Sequence, residues 1–213
     1  MKFKKEKAKS IFRVYLELSK LNILSLVLVS TFLGYYLGNN GIGELSRVIY
    51  TLLGTSLTAA GSGALNHYLE RNSDSHMERT KNRPLPAGLI SPLNVIIFGV
   101  IMIIGGSLLL VFKINLLTGF LSLLTAFLYV VVYTPLKRIT WLNTSVGSVP
   151  GAMPIIGGWT AATGEIGTMA WILFALMYLW QHPHFYSIAW MCKEDYAAAS
   201  FKMLPVIESD GSR

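Results

Sequence analysis

Long apolar stretches separated by short polar connections dominate the pattern of this chain. Six such stretches occur, near residues 21–38, 47–66, 91–112, 114–133, 144–163 and 166–191. A helix of ~20 predominantly apolar residues is long enough to cross the hydrocarbon core of a bilayer. The pattern therefore predicts an all-α fold, a polytopic transmembrane helical bundle of six helices whose single domain runs over residues 1–213.

The composition agrees with a multi-pass integral membrane protein surrounded by a lipid bilayer. Hydrophobic residues make up 53% of the chain, charged residues only 14%, and the mean hydropathy is +0.51. Soluble domains are less apolar and more highly charged. The single cysteine, Cys192, excludes an internal disulfide and a cysteine-based zinc site.

The basic residues predict an orientation. Seven Lys and Arg residues precede the first stretch, four lie between the second and third, two between the fourth and fifth, and three follow the sixth, whereas the opposite side has only Arg47 and Lys113. Cytoplasmic loops carry the excess of Lys and Arg. We therefore expect a basic cytoplasmic tail over residues 1–20 and a bacterial cytoplasmic membrane. The net charge of +7 then follows from topology and gives no reason to expect nucleic acid as a partner.

A cluster of charge occupies residues 65–88, at the end of the second stretch. Asn66, Glu70 and Asp74 are spaced four residues apart, so a helix places them on one face. Oxygen ligands of this kind suit Mg2+, which is usually held by one or two carboxylates together with substrate phosphates. We expect these side chains to be catalytic metal ligands at a wet helix end.

Four basic residues lie within or directly after this series in the sequence: Arg71, Arg79, Lys81 and Arg83. Guanidinium groups bind phosphate oxygens in a bidentate manner. Acids for a metal and bases for phosphates together predict a diphosphate site. The alternative is a solvated loop whose bases only follow the charge bias of cytoplasmic loops.

Two further segments on the same side carry candidate residues. Tyr133 and Lys137 lie four residues apart, so that a phenol and an ammonium group would close over a phosphate; the alternative is a pair of interfacial anchors. Glu194 and Asp195 follow the sixth stretch and would supply a second carboxylate face for the metal.

Histidines lie inside the last apolar stretch. His182 and His184 flank a proline, and ionisable groups within such stretches usually mark a site. They are candidates for haem contact or ligation. The alternative is an interior histidine that is simply hydrogen-bonded.

Three segments together resemble a known family: "NHYLERNSDSHMERTKNRPLP", "LKRITWLNTSVGSVPGAMPIIGGW" with Tyr133, and "PHFYSIAWMCKEDYAAASFKMLP". They are similar to the protohaem IX farnesyltransferases, or haem O synthases, a branch of the UbiA-like intramembrane prenyltransferases. The resemblance implies nine transmembrane helices around a cavity in which two acidic motifs bind farnesyl diphosphate through Mg2+. It also implies haem B as the acceptor, haem O as the product and a downstream haem A synthase as a partner.

The resemblance assigns roles by position. Asn66, Glu70 and Asp74 match the first acidic motif, and Asp195 matches the second. Further residues match the diphosphate-binding positions: Arg79, Arg83, Tyr133 and Lys137. Two departures occur, since Cys192 stands where Tyr is expected and Ser200 where Gly is expected, and we expect both to affect the turn after the sixth helix. Six of the nine helices are present, so the chain is expected to be truncated at its C-terminus.

Three other functions are alternatives for a chain of this pattern. A prenyltransferase of the same fold would act on a quinone precursor or another tetrapyrrole. A transporter would carry charges deep within its helices, whereas every Asp and Glu here lies at or beyond the end of an apolar stretch. A purely structural membrane subunit would have no need for the Asn66, Glu70 and Asp74 series.

Overall fold

The computed structural model describes residues 10–208, and all regular structure in this range is helical. The helices are α1 (Ile11–Leu18), α2 (Leu21–Asn39), α3 (Leu45–Asp74), α4 (Pro92–Lys113), α5 (Leu116–Phe127), α6 (Thr134–Ile139), α7 (Asn143–Thr163), α8 (Thr168–Met191), α9 (Lys193–Ala198) and α10 (Leu204–Ile207). A π-helical segment, Leu128–Tyr133, joins α5 to α6 without a break.

The six predicted stretches all form long helices. Four segments between residues 10 and 208 are both long and apolar enough to cross a membrane: Leu21–Asn39, Leu45–Asp74, Pro92–Lys113 and Leu116–Ile139. Helices α7 and α8 have comparable length but lower hydropathy. Glycine, proline and threonine are frequent in α7, and the second half of α8 carries Gln181 and the two histidines. Six membrane-spanning stretches were predicted; all six form helices at the predicted positions, and four of them meet both the length and the hydropathy expected of a span.

Glycine contacts bring α3 and α4 close together. A Cβ added to Gly61 would lie 2.5 Å from the carbonyl oxygen of Gly99, and one added to Gly106 would lie 2.6 Å from that of Gly54. Small residues at a membrane helix interface allow the backbones to approach. The two contacts run in opposite directions along the two helices, so α3 and α4 are antiparallel.

Helix α7 lies inside the bundle. A Cβ added to Gly158 would collide with the carbonyl oxygen of Thr31 on α2, and Gly34 of α2 meets Ile155 of α7 in the same way. Pro150 and Pro154 both lie within this helix, and α2, α5 and α8 pack around it. Buried packing is the condition under which such a helix is tolerated in a membrane.

Successive long helices run in opposite directions, and most of the charged residues therefore lie at one end of the bundle. We call this the charged end, formed by residues 65–90, 133–143 and 191–203. Helices α3, α6 and α8 finish there, whereas α2, α4 and α7 start there. The opposite end carries Arg47 and Lys113, together with Glu44 and Glu165.

Helix α1 packs across the charged end. Val14 and Leu18 are buried in a cluster with Ala64 of α3, Val95 of α4 and two residues of the connection between those helices, Leu85 and Ile90. The second half of the predicted basic tail is thus an amphipathic helix docked on the bundle. Residues 1–9, which carry most of the tail's lysines, lie outside the described residues.

Candidate active site at the charged end

The Asn66, Glu70 and Asp74 series lies on one face of α3, as its spacing predicts. Asn66 and Asp74 are 0% exposed and Glu70 is 6% exposed. The expectation of a wet helix end was therefore wrong. The connection after α3 folds back over this helix, and α6 covers it from the other side, so the carboxylates are enclosed by protein.

Glu70 pairs with Lys137 across the bundle. The Lys137 Nζ atom lies 2.7 Å from the Glu70 Oε1 atom. The same ammonium group lies 4.8 Å from the ring centroid of Tyr133 and 5.8 Å from that of Phe201. A cation held over aromatic rings is further stabilised by their quadrupoles. The predicted association of Tyr133 with Lys137 is present, and Phe201 is a neighbour that sequence reasoning missed.

Asp74 pairs with Arg83. The Arg83 Nη1 atom lies 2.8 Å from Asp74 Oδ1 and 2.9 Å from Asp74 Oδ2. The intervening connection is fixed because the buried Thr80 hydroxyl donates to the Asp74 carbonyl oxygen at 3.0 Å. Local folding of residues 75–83 thus delivers a guanidinium group to the carboxylate.

Asn66 links three segments of the chain. Its side-chain oxygen accepts a hydrogen bond from Lys20, and its Nδ2 atom donates to the Thr134 hydroxyl at 3.0 Å. Burial lowers the pKa of Lys20 to about 7; Glu70 opposes this shift, and the charges of Lys137 and Arg83 add to it. Sequence reasoning missed Lys20 as a site residue because it reads as the last base of a tail. Its position directly before the first apolar stretch is the available signal.

The π-helical segment orients the residues contributed by α6. The backbone N–H of Thr134 donates to the Tyr129 carbonyl oxygen, five residues earlier, and the Thr134 hydroxyl donates to the same oxygen at 2.8 Å. π-Bulges within helices occur frequently at functional sites. Here the wider turn places Thr134 against Asn66 of α3, one turn before Lys137.

Two predicted phosphate-binding arginines do not join the cluster. Arg71 donates to the Tyr68 carbonyl oxygen at 2.7 Å and lies 4.4 Å from the centroid of the Tyr68 ring. It follows Glu70 directly and so projects from a different face of the helix. Arg79 is exposed, and its charge acts on Tyr196 of α9. Of the predicted bases, Arg83 and Lys137 are the ones that contact the acidic series.

Asp195 lies against the connection that follows α3. Its Oδ1 atom accepts the backbone N–H of Glu78 at 3.1 Å. The neighbouring Met77 is buried against Ala189 of α8 and Phe201. The second acidic segment therefore meets the first through this connection, whereas α6 contacts α3 directly.

The donor set fits Mg2+ held jointly with a diphosphate. Among residues 10–208, no three His, Cys, Asp or Glu side chains come close enough to hold a metal by themselves. Mg2+ needs only one or two carboxylates when substrate phosphates and water complete its shell. Glu70 and Asp74 supply two carboxylates on adjacent turns, and their cationic partners are suited to the phosphate oxygens.

The histidines lie outside this cluster. His182 is hydrogen-bonded through both ring nitrogens, with the Tyr178 carbonyl oxygen at 2.8 Å from Nδ1 and the Ser145 hydroxyl at 3.2 Å from Nε2. His184 is exposed and stacks on Trp180 with ring centroids 5.0 Å apart. The hydrogen-bonded interior histidine expected as the alternative describes the environment of His182.

The two departures from the expected motif lie in the turn after α8. Cys192 is the junction between α8 and α9, and α9 begins at the next residue. Ser200 adopts a φ of 57°, a left-handed conformation that favours glycine. The turn accommodates both Cys192 and Ser200. The backbone conformation of Ser200, however, is unfavourable for a residue with a Cβ atom.

Comparison with known proteins identifies relatives that match most of this chain. The UbiA prenyltransferase family matches residues 27–213. The protoheme IX farnesyltransferase of Solibacter usitatus is 45% identical over 207 residues, which cover 93% of this chain and 71% of that protein. That of Salinibacter ruber is 48% identical over 198 residues, covering 93% of this chain and 70% of that protein. The chain thus spans about seven-tenths of the length of these relatives.

Solved structures agree on the fold. A UbiA homologue from Archaeoglobus fulgidus, bound to DMAPP and Mg2+, superposes with a TM-score of 0.73 at 18% identity, over 91% of this chain and 68% of that one. A structure described in work on digeranylgeranylglyceryl phosphate synthase gives a TM-score of 0.77, also at 18% identity, over 92% and 69% of the two chains. From the family match and the relatives above 40% identity, this chain belongs to the UbiA prenyltransferase family.

Proposed function

We propose that this protein transfers the farnesyl group of farnesyl diphosphate to a vinyl group of haem B, giving haem O and diphosphate. The observation that carries the proposal is the pairing of Glu70 with Lys137 and of Asp74 with Arg83 at one end of a membrane bundle. The close relatives named protoheme IX farnesyltransferase support the choice of acceptor.

The paired charges match the demands of the reaction. Breaking the C1–O bond of an allylic diphosphate places negative charge on the leaving group and positive charge on the allyl unit. Lys137, Arg83 and Lys20 would stabilise the departing diphosphate through preorganised electrostatics. The vinyl group then attacks C1, and water adds to the resulting cation with loss of a proton, which leaves a hydroxyethylfarnesyl side chain. The chemistry requires no strong protein base.

Mg2+ is the proposed cofactor. Glu70 and Asp74 would hold it. Asn66 and Asp195 were expected from the sequence as further oxygen ligands, but here the Asn66 side-chain oxygen accepts from Lys20 and Asp195 accepts the Glu78 N–H. When bound, Mg2+ would supply Lewis-acid stabilisation of the leaving group. The cations that now contact the carboxylates would then contact phosphate oxygens.

Aromatic residues would protect the allylic cation. Tyr133 and Tyr129 lie beside Lys137, with their ring centroids 5.8 Å apart. Aromatic faces attract positive charge. An apolar, water-poor site also prevents premature capture of the cation by water.

The proposed orientation places the charged end at the cytoplasmic surface of a bacterial inner membrane. The distribution of Lys and Arg supports it, because the opposite end carries only Arg47 and Lys113. Farnesyl diphosphate would enter from that side. The product remains in the membrane, so a haem A synthase that accepts it there is the proposed downstream partner.

The test is to incubate membranes carrying this chain with haem B, farnesyl diphosphate and Mg2+ and to measure haem O by mass spectrometry. The Lys137→Gln variant should form none, whereas Lys113→Gln, at the opposite end, should match the parent. Transfer of farnesyl to a quinone precursor but not to haem B would identify another acceptor. Absence of any prenyl transfer by the parent would contradict the proposal.

A further inference from the structure

A basic cleft lies at the charged end, beside the Glu70 and Asp74 site. Its volume is about 470 Å³. Its walls come from α3, the connection after it, α6, the end of α9 and the segment that follows α9: Ser73, His76, Arg138, Ala198, Ala199, Ser200 and Lys202. Neither Glu70 nor Asp74 lines it. We call it the Arg138 cleft.

The guanidinium group of Arg138 is held in a fixed orientation by a neutral hydroxyl. Its Nε atom lies 3.1 Å from the hydroxyl of Ser73, a buried residue, and its Nη2 atom donates to the same oxygen. Within residues 10–208, no carboxylate forms an ion pair with this guanidinium group. A neutral hydroxyl therefore holds one edge of the side chain and leaves its charge and its remaining N–H groups available.

Lys202 also lines the cleft, and two hydrogen bonds fix its backbone. Its N–H donates to the Lys137 carbonyl oxygen at 2.7 Å, and its own carbonyl oxygen accepts from Asn143 Nδ2 at 3.0 Å. The side chain is exposed, and in the described part of the chain it has no carboxylate partner. The segment that carries Lys202 is thus pinned while the ammonium group remains available.

Two acidic side chains of the charged end have their hydrogen-bond partners outside the cleft. Asp74 binds Arg83, and Asp195 accepts the Glu78 N–H. The lining contains no acidic residue. Two cations that have no carboxylate partner among residues 10–208 share this concave site, and they give it a local positive potential that attracts anions.

The surroundings place the cleft at the level of lipid headgroups. Ile139, Trp141 and Leu142, which follow Arg138 directly, are exposed. Tryptophan beside apolar residues at a helix end is typical of the membrane–water interface, where basic residues attract anionic lipids. The cleft therefore lies where phosphate groups are abundant.

We propose that the Arg138 cleft binds a phosphate group, held between the Arg138 guanidinium and the Lys202 ammonium, at a site separate from the prenyl diphosphate site. The phosphate group belongs either to the headgroup of an anionic phospholipid or to a free phosphate ion. Both present the same oxygens to the two cations.

The lipid source is tested with the full chain in phosphatidylcholine nanodiscs that contain a minor fraction of phosphatidylglycerol. Native mass spectrometry should detect a phosphatidylglycerol molecule that stays bound to the released protein. Lys202→Gln and Arg138→Gln should each weaken retention about tenfold, because each removes a charge-assisted contact with the bound phosphate. The matched control is Lys193→Gln, which removes a charge at the same end but outside the cleft.

The free source is tested by equilibrium dialysis of the detergent-solubilised chain against radiolabelled orthophosphate without divalent cations. Saturable binding that Lys202→Gln weakens and Lys193→Gln does not would assign the site to free phosphate. Lys202→Gln keeps the test informative even if Arg138→Gln disturbs folding through Ser73, because the Lys202 side chain makes no bond within the described protein. The proposal is overturned if neither probe binds, or if Lys193→Gln and Lys202→Gln behave alike.

Discussion

Lys137 and Glu70 form an ion pair of 2.7 Å that joins two helices across 67 residues of sequence. Both side chains are largely enclosed, since that of Lys137 is 15% exposed and that of Glu70 is 8% exposed. The pair fixes the register of α6 against α3 and places a cation beside the proposed metal ligands. It therefore serves the fold and the proposed chemistry together.

Removal of one partner of this pair should destabilise the protein. Glu70→Gln or Lys137→Gln leaves the other charge buried and unpaired, which costs ~3–5 kcal/mol. The Glu70→Gln/Lys137→Gln double variant should recover part of this loss, since no charge remains unpaired. Thermal unfolding in detergent measures all three variants, and haem O formation should be absent from each. Single variants as stable as the parent would contradict the buried pair.

Arg83 should act on the diphosphate. Because its guanidinium group contacts Asp74 at the proposed metal site, Arg83→Lys should raise the KM for farnesyl diphosphate about tenfold through loss of a charge-assisted hydrogen bond. The lysine preserves a positive charge beside the buried Asp74, so the variant should still fold.

Arg71→Ala provides the comparison for Arg83. Its guanidinium group contacts Tyr68, so the change in KM should be smaller than for Arg83→Lys. Initial-rate measurements at varied farnesyl diphosphate give both constants. An equal or larger effect of Arg71→Ala would favour the assignment made from sequence spacing alone.

Lys20 should bind the diphosphate with Arg83 and Lys137. It is half-buried beside Asn66, so Lys20→Met retains most of its packing while it removes the charge. We expect a rise in the KM for farnesyl diphosphate of about tenfold, from the loss of one charge-assisted contact. Lys113→Met, at the opposite end of the bundle, is the control. A KM equal to that of the parent would limit Lys20 to a structural role.

The side of the membrane on which the charged end lies is directly measurable. The background is the cysteine-free Cys192→Ala variant. In intact cells, a cysteine introduced at Asn82 should react with an impermeant maleimide only after the membrane is permeabilised, because this position faces the cytoplasm. Cysteine introduced at Lys113 should react from outside. The reversed pattern would overturn the orientation.

Sequence periodicity was sufficient for the elements and for one face of the site. The four-residue spacing of Asn66, Glu70 and Asp74 placed them together because a single helix carries all three. The apolar stretches located the long helices because a membrane requires that length. These are properties of one segment at a time, and a linear pattern reports them directly.

The pairing of charges was not available from the sequence. Arg83 reaches Asp74 only because Thr80 closes the connection back onto α3, whereas Arg71, which is nearer in sequence, projects from another face. Lys20 enters the site because it adopts a left-handed φ of 51° between α1 and α2, and a position read as tail gives no signal for this turn. Tertiary folding decides these contacts.

Ser200 has an unfavourable backbone conformation. Its φ of 57° lies in the left-handed region, where a Cβ atom costs roughly 1–2 kcal/mol and glycine does not incur this cost. Ser200→Gly should therefore stabilise the protein by about 1 kcal/mol and raise the Tm by ~2–4 °C for a chain of this size.

The matched control for Ser200→Gly is Ala197→Gly, three residues earlier on an exposed position of α9. Glycine in a helix costs about 1 kcal/mol relative to alanine, so this change should lower the Tm. Opposite signs at two neighbouring positions would locate the effect in the backbone conformation of residue 200. If Ser200→Gly lowers the Tm as well, the serine side chain contributes more to the turn than its backbone conformation costs.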